Sequence, residues 1–198
     1  MNRPLPAGAT GTRSSPGSSE DLLIRVDEAD REIGTVPKTA GHLGAGVLHR
    51  AFSVFLFDAA GAVLIQKRAP GKMLWPGYWS NACCSHPRPG EAVEAAARRR
   101  VREELSVECR LRFLYKFIYQ APFGEVGAEH ELCYVYAGYA VGSLTADPAE
   151  IADHRWLQPD DLTTAITANP DHFSPWMKLE WQRITTDYLD DIRQEAEG

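Results

Sequence analysis

The sequence predicts an α+β fold, an α/β/α sandwich built on a mixed β-sheet. Apolar, β-branched and aromatic runs recur at 22–26, 51–57, 62–67, 111–119 and 132–141, which is strand composition. Helical signals are confined to three stretches, one opening near Pro89, one at 159–168 and one after Ser174. Strands outnumber helices, the two are interspersed, and no internal repeat is visible.

Residues 1–19 are rich in Pro, Gly, Ser, Thr and Ala without periodicity, and a disordered tail is expected there, with a single domain over 20–198. Leu22-Leu23-Ile24-Arg25-Val26 reads as a first strand, followed by a polar turn to Gly34 and a short extended piece. Residues 37–50 hold three glycines and two histidines with no apolar period, so a loop is expected. Ala51 to Phe57 reads as a strand buried on both faces. Asp58-Ala59-Ala60-Gly61 turns the chain so that Ala62 to Lys67 returns beside it as a hairpin.

Pro89-Gly90-Glu91 opens a helix that runs to about Leu105, with proline and an acid at its positive end. Strands at 111–119 and 132–141 flank a loop at 121–128, and a short strand follows at Arg155-Trp156-Leu157. A helix is expected from Pro159 to about Ala168. Ser174-Pro175 then caps a final helix with Trp176, Leu179, Ile184, Tyr188 and Ile192 on one broad side.

A formal charge of −6 argues against a nucleic-acid binder held by phosphate contacts, and leaves room for a phosphorylated small molecule bound locally. Cys83, Cys84, Cys109 and Cys133 show no disulfide-framework spacing, which favours a reducing compartment. No apolar run approaches the roughly 20 residues of a membrane helix, and no apolar signal core precedes Leu22. The expectation is a cytoplasmic protein without membrane or nucleic-acid partners, a monomer or weak dimer.

The stretch from Trp75 to Glu104 concentrates reactive groups: a Cys-x-His pair, Cys84 and His86, an arginine run, and the adjacent Glu103 and Glu104. Arg99 and Glu103, like Arg100 and Glu104, are four apart and share a helix face. A carboxylate pair near a helix end can hold Mg²⁺ bound to phosphate oxygens. The spacing of Glu91, Arg99, Glu103 and Glu104 resembles a Nudix box. Ser85, Arg100 and Ser106 stand where that motif has glycine, glutamate and glycine.

Within that superfamily the chain resembles the type I isopentenyl-diphosphate Δ-isomerases from about Lys38 to Trp176. The pieces are Lys38-x-x-x-His42, His49-Arg50-Ala51-Phe52-Ser53, Arg68-x-x-x-Lys72, Trp75-Pro76-Gly77, Asn81-x-Cys83-Cys84-Ser85-His86-Pro87, Glu129-His130-Glu131 and Ser174-Pro175-Trp176-Met177. The resemblance implies a Nudix-like fold and the interconversion of isopentenyl and dimethylallyl diphosphate; the alternative is a Nudix-type diphosphohydrolase.

It also implies roles. His42, His49 and His86 with Glu129 and Glu131 form a mixed N/O set suited to an octahedral Mn²⁺, Mg²⁺ or Zn²⁺. On a strand Glu129 and Glu131 face one side and His130 the other. Lys38, Arg68, Lys72 and Arg100 are assigned to the diphosphate, directly or through the Mg²⁺ that Glu104 helps hold. Cys84 works opposite Glu131 in proton transfer, and Tyr119 is a supporting donor to that glutamate. Trp176 offers its ring face to a carbocation-like intermediate. The other cysteines and tryptophans are expected to pack.

Overall fold

A computed structural model describes residues 22–196, so the tail expected over 1–19 lies outside the described residues. The strands are β1 (Leu22–Val26), β2 (Glu32–Pro37), β3 (His49–Phe57), β4 (Val63–Arg68), β5 (Trp79–Asn81), β6 (Cys83–Ser85), β7 (Glu108–Phe123), β8 (Gly127–Val141) and β9 (Ile151–Leu157). The helices are α1 (Lys38–His42), α2 (Val93–Leu105), α3 (Pro159–Ala168), α4 (Pro175–Asp187) and α5 (Leu189–Ala196).

The β3 strand is the spine, parallel to β8 from His49↔Glu131 to Phe57↔Tyr139 and antiparallel to β1 and β6. Side chains alternate across a strand, and here each face meets its own helical layer. Phe52, Val54 and Leu56 pack with Ala96, Ala97, Val101 and Leu105 of α2. Phe55 and Phe57 pack with Trp176, Met177, Trp181 and Ile184 of α4 and Leu162 of α3. The expected sandwich is present, and the mixed sheet follows from β8 lying parallel to β3 while the other pairs run antiparallel.

Several local expectations need correction. The 51–57/62–67 hairpin has its turn, closed by Asp58 N–H to the Ala62 carbonyl, but β3 and β4 pair only at Phe57↔Val63. Beyond that point β4 diverges to join β5 and β9. The 37–50 loop contains α1, whose carbonyls receive the ring N–H of His42 and the N–H of Leu43. The 121–128 loop shrinks to a turn at Gly124–Val126, because the paired strands continue to Phe123↔Gly127. The short strand extends to Ile151–Leu157 along β4.

The helix expected from Pro89 starts at Val93, and the last helix breaks at Tyr188. Leu179 lies on the exposed face of α4; the buried face is Trp176, Met177, Glu180, Trp181 and Ile184. Ser174 occupies the cap position, but its hydroxyl pairs with that of Ser80, 3.1 Å away.

Ser106 ends α2 in the left-handed region, φ 58°. A side chain there costs about 1–2 kcal/mol relative to glycine in the folded chain, and glycine's looser unfolded chain gives part of that back. Ser106→Gly is expected to stabilise the fold by about 0.5–1 kcal/mol, read as a higher midpoint in urea at unchanged slope.

Candidate active site

Strand register assembles the acidic half of the site. Parallel pairing sets His49 beside Glu131, and the antiparallel β7–β8 pairing sets Tyr119 beside the same residue. Glu129 and Glu131 point inward, buried, while His130 turns toward the Gly46 carbonyl, as alternation requires. A Cβ on Gly127 would lie 2.1 Å from the His42 carbonyl oxygen. Glycine is what lets α1 close on β8 and bring His42 in.

The three imidazoles form one cluster, with ring centroids 4.8–5.5 Å apart. Ligand atoms of His42, His49, His86, Glu129 and Glu131 all lie within 4.8 Å of one another. His42 Nδ1 meets the Lys38 carbonyl and His49 Nδ1 the Val47 carbonyl, each at 2.7 Å, which leaves both Nε2 atoms facing the carboxylates. His86 Nε2 lies 3.1 Å from Glu131 Oε1, and Tyr119 donates its O–H to Glu131 Oε2 at 2.7 Å.

Two buried atoms in this cluster, His49 Nε2 and Glu129 Oε2, have no hydrogen-bond partner. Glu129 Oε2 is 2.9 Å from His42 Nε2 yet off the line of a hydrogen bond. Converging imidazole and carboxylate lone pairs with orphaned members fit a divalent cation. Burial would raise the Glu131 carboxyl, but His49 and Tyr119 overcome it and hold it below its ordinary value. For His86, burial and the neighbouring His49 depress the ring, which keeps it neutral and able to ligate.

The cluster forms one wall of a cavity of about 340 Å³, whose lining includes Lys38, His42, Arg68, Lys72, Cys84, His86, Arg100, Tyr119, Glu129, Glu131 and Trp176. That volume suits a small ligand. Of the residues assigned to the site in the sequence, His49 and Glu104 do not line it, and neither do Glu91, Arg99 and Glu103 of the Nudix-box pattern. His49 is fully buried behind the other two imidazoles. Glu104 lies under Arg100, 2.7 Å from its Nη2, with burial raising its carboxyl against the pull of that arginine. It is thus placed among the cations rather than with the imidazoles.

The cationic end holds Lys38, Lys72 and Arg100. Lys38 is exposed at the rim, where partial loss of solvent and then the charge of Lys72 lower its pKa. Lys72 and Arg100 both bind Glu150, Arg100 at 2.9 Å. Burial would raise Glu150, but Lys72 and Arg100 bring it down to about 2. Arg100 also reaches Glu103 and Glu104. Where a Nudix box has a glutamate, this chain therefore has a cation bound to the remaining acids. Arg68 also lines the cavity; its guanidinium donates to the Leu74 and Trp75 carbonyls and lies 5.2 Å from the Trp176 ring centroid.

On the apolar side, Cys84 pairs with Ser53 across β6–β3. Its thiol donates to Asn81 Oδ1 at 2.7 Å and receives the indole N–H of Trp176 at 3.2 Å. Burial, then the charge of Glu180, push the thiol up to about 12. It is protonated at neutral pH. Trp176 also donates to Ser80 Oγ, and Trp75 meets its ring edge-on at 5.3 Å, so the indole is locked.

Sequence reasoning did not single out Ser80, Asn81, Glu150 or Glu180 as functional, and it read Cys133 as plain packing, whereas its thiol contacts Ser53 and Glu180. Glu180 had a signal, since it falls one helical turn after Trp176.

Comparison with known proteins agrees with this geometry. The NUDIX domain family matches residues 47–177. The chain is similar to "Isopentenyl-diphosphate Delta-isomerase 1" of Photorhabdus laumondii, 40% identical over 86% of this chain and 98% of that protein. It is 45% identical to "Isopentenyl-diphosphate Delta-isomerase" of Nocardia farcinica over 77% of this chain and 87% of that one. Among solved structures, DR0079 from Deinococcus radiodurans matches with a TM-score of 0.61 at 29% identity, covering 74% of this chain and 89% of that chain. With relatives matched over nearly their full length, and a thiol and carboxylate facing one cavity, the chain belongs to the isopentenyl-diphosphate Delta-isomerase family of NUDIX-domain proteins.

Proposed function

We propose that the protein interconverts isopentenyl diphosphate and dimethylallyl diphosphate by adding a proton at one carbon and removing one two carbons away. The observation that carries this reading is the pairing of a protonated thiol, Cys84, with a carboxylate held ionised, Glu131, on the walls of one cavity. An allylic proton shift needs one group carrying a proton and one able to accept it.

An unactivated alkene is a very weak base, so protonation passes through a carbocation-like species that water would quench. Met73, Leu74 and Trp176 give the cavity apolar lining, of which Leu74 and Trp176 are buried, and such a wall would keep water from that species. The locked Trp176 ring presents π density to the developing cation, an interaction of about 2 kcal/mol when desolvated. Tyr119 fixes the Glu131 carboxylate through its second oxygen. Lys38, Arg68, Lys72 and Arg100 take the diphosphate, with Glu150 yielding its partners as the anion enters; Arg68 also orders the 74–75 turn and braces Trp176.

His42, His49, His86, Glu129 and Glu131 would hold a divalent ion, Mn²⁺, Mg²⁺ or Zn²⁺, and Glu104 would help hold the Mg²⁺ of the diphosphate. When bound, these ions neutralise the substrate's charge and stiffen Glu131. The protein is proposed to act in the cytoplasm as a monomer or weak dimer. Among the described residues no helix is long and apolar enough to cross a membrane.

The test is incubation of isopentenyl diphosphate with the protein and Mg²⁺, followed by product analysis and a free-phosphate assay. Dimethylallyl diphosphate without phosphate release is expected. Phosphate release without isomer would point to diphosphate hydrolysis and reject the reading.

A further inference from the structure

The thiol of Cys84 has a second neighbourhood, away from the cavity. Glu180, on α4, is fully buried, and its Oε2 has no hydrogen-bond partner. Its Oε1 lies 3.5 Å from Cys133 Sγ, which lies 3.5 Å from Ser53 Oγ, which lies 3.6 Å from Cys84 Sγ. Four polar groups thus run from α4 through β8 and β3 to the reactive sulfur on β6. Facing Glu180 are Cys133 and Glu131 on β8, Cys84 on β6 and Ser53 on β3. On β7, Tyr115 donates its O–H to the Glu180 carbonyl at 3.4 Å, with Arg183 over its ring.

A carboxylate buried without a cationic partner takes a proton instead of a charge. Burial raises Glu180 to about 8, with Ser53 and Cys133 pulling it only part of the way back. A neutral acid has an O–H to give. Donated into the chain, it leaves the Cys133 S–H for Ser53 Oγ and the Ser53 O–H for Cys84 Sγ. An ionised Glu180 has no donor and draws both neighbouring hydrogens to itself, so Ser53 turns away from the sulfur.

We propose that Glu180 is a positioning residue that works in its neutral form, orienting Cys133 and Ser53 so that the Ser53 hydroxyl is donated to the Cys84 sulfur. The proposal rests on the isomerase reading above. It adds a proton-dependent support to that site from a residue that touches no substrate.

The experiment compares wild type, Glu180→Leu and Glu180→Gln for isomerase kcat and KM between pH 6 and 9, and for melting temperature over pH 5 to 9. Leucine fills the space without a donor: kcat should fall about tenfold, the worth of one good hydrogen bond, with KM within about twofold. Glutamine keeps an N–H donor, so most of kcat should return, without the wild type's decline near pH 8. The folded pKa is raised, so the proton-bound stability is full below the unfolded value near 4.5 and lost as pH rises toward about 8. The melting temperature of Glu180→Gln should therefore gain on wild type as pH increases, even if the leucine variant does not fold.

Equal kcat in Glu180→Leu and wild type, or a melting difference flat with pH, would overturn the role of Glu180 while wild-type turnover leaves the isomerase reading standing. A wild type that makes no isomer would overturn both.

Discussion

Cys84→Ala should lower kcat for isomerisation by about 10³-fold, within the 10²–10⁴ range of a lost proton-transfer group, with KM nearly unchanged and the fold retained. The groups around the sulfur explain why stability survives. Trp176 Nε1 keeps its bond to Ser80 Oγ at 3.0 Å, and Asn81 Oδ1 keeps the Ser80 hydroxyl at 3.0 Å. Of the thiol's partners the Ser53 hydroxyl loses its acceptor, but it can turn to Glu180, so the expected cost is about 1 kcal/mol or less. The cationic end, proposed to hold the diphosphate, is untouched. Steady-state kinetics with a thermal melt checks both halves. A variant as active as wild type, or one that melts far lower, contradicts the assignment.

Glu131→Gln should be at least as severe, because one residue serves two purposes. Glutamine keeps the shape and can still accept the Tyr119 O–H, now 2.7 Å from Oε2. It cannot take up a proton at neutral pH, and it removes one of the two carboxylates in the imidazole cluster. The expected result is a loss of about 10³-fold or more in kcat, together with a lower metal content per chain after dialysis. Tyr119→Phe separates the purposes: the carboxylate and metal stay, and kcat falls about tenfold as one hydrogen bond is lost. Full metal content in Glu131→Gln would dismiss this residue as a ligand.

Much of this site was legible through the resemblance, which assigned roles that spacing alone does not, and one part of it follows from spacing itself. Glu129 and Glu131, two apart on a strand, had to share a side, and β8 places both inward. The convergence of His42, His49 and His86 was not visible in spacing; it depends on α1 resting on Gly127 and on the parallel β3–β8 register. That pairing joins strands about eighty residues apart, whereas the turn at Asp58 suggested a neighbour close in sequence. The failure at β4 has the same origin, since a turn fixes where the chain reverses but not which strand keeps the company of β3 afterwards.

The final helix misled for a different reason. Leu179 was placed on the apolar side because it is leucine, yet helical geometry groups Trp176, Glu180 and Ile184 on the face that packs inward. Expecting charge to face water hid Glu180. A buried acid is costly unless neutral or paired, and its position could be read only once β8 and β3 were in place beside it.

The most direct test of the central claim is turnover of isopentenyl diphosphate in deuterated water, with the product's methyl groups read by NMR. Wild type should yield dimethylallyl diphosphate carrying solvent deuterium, and Cys84→Ala almost none. Product free of deuterium, or equal labelling by both proteins, would contradict proton transfer to and from the substrate by Cys84 and Glu131 across this cavity.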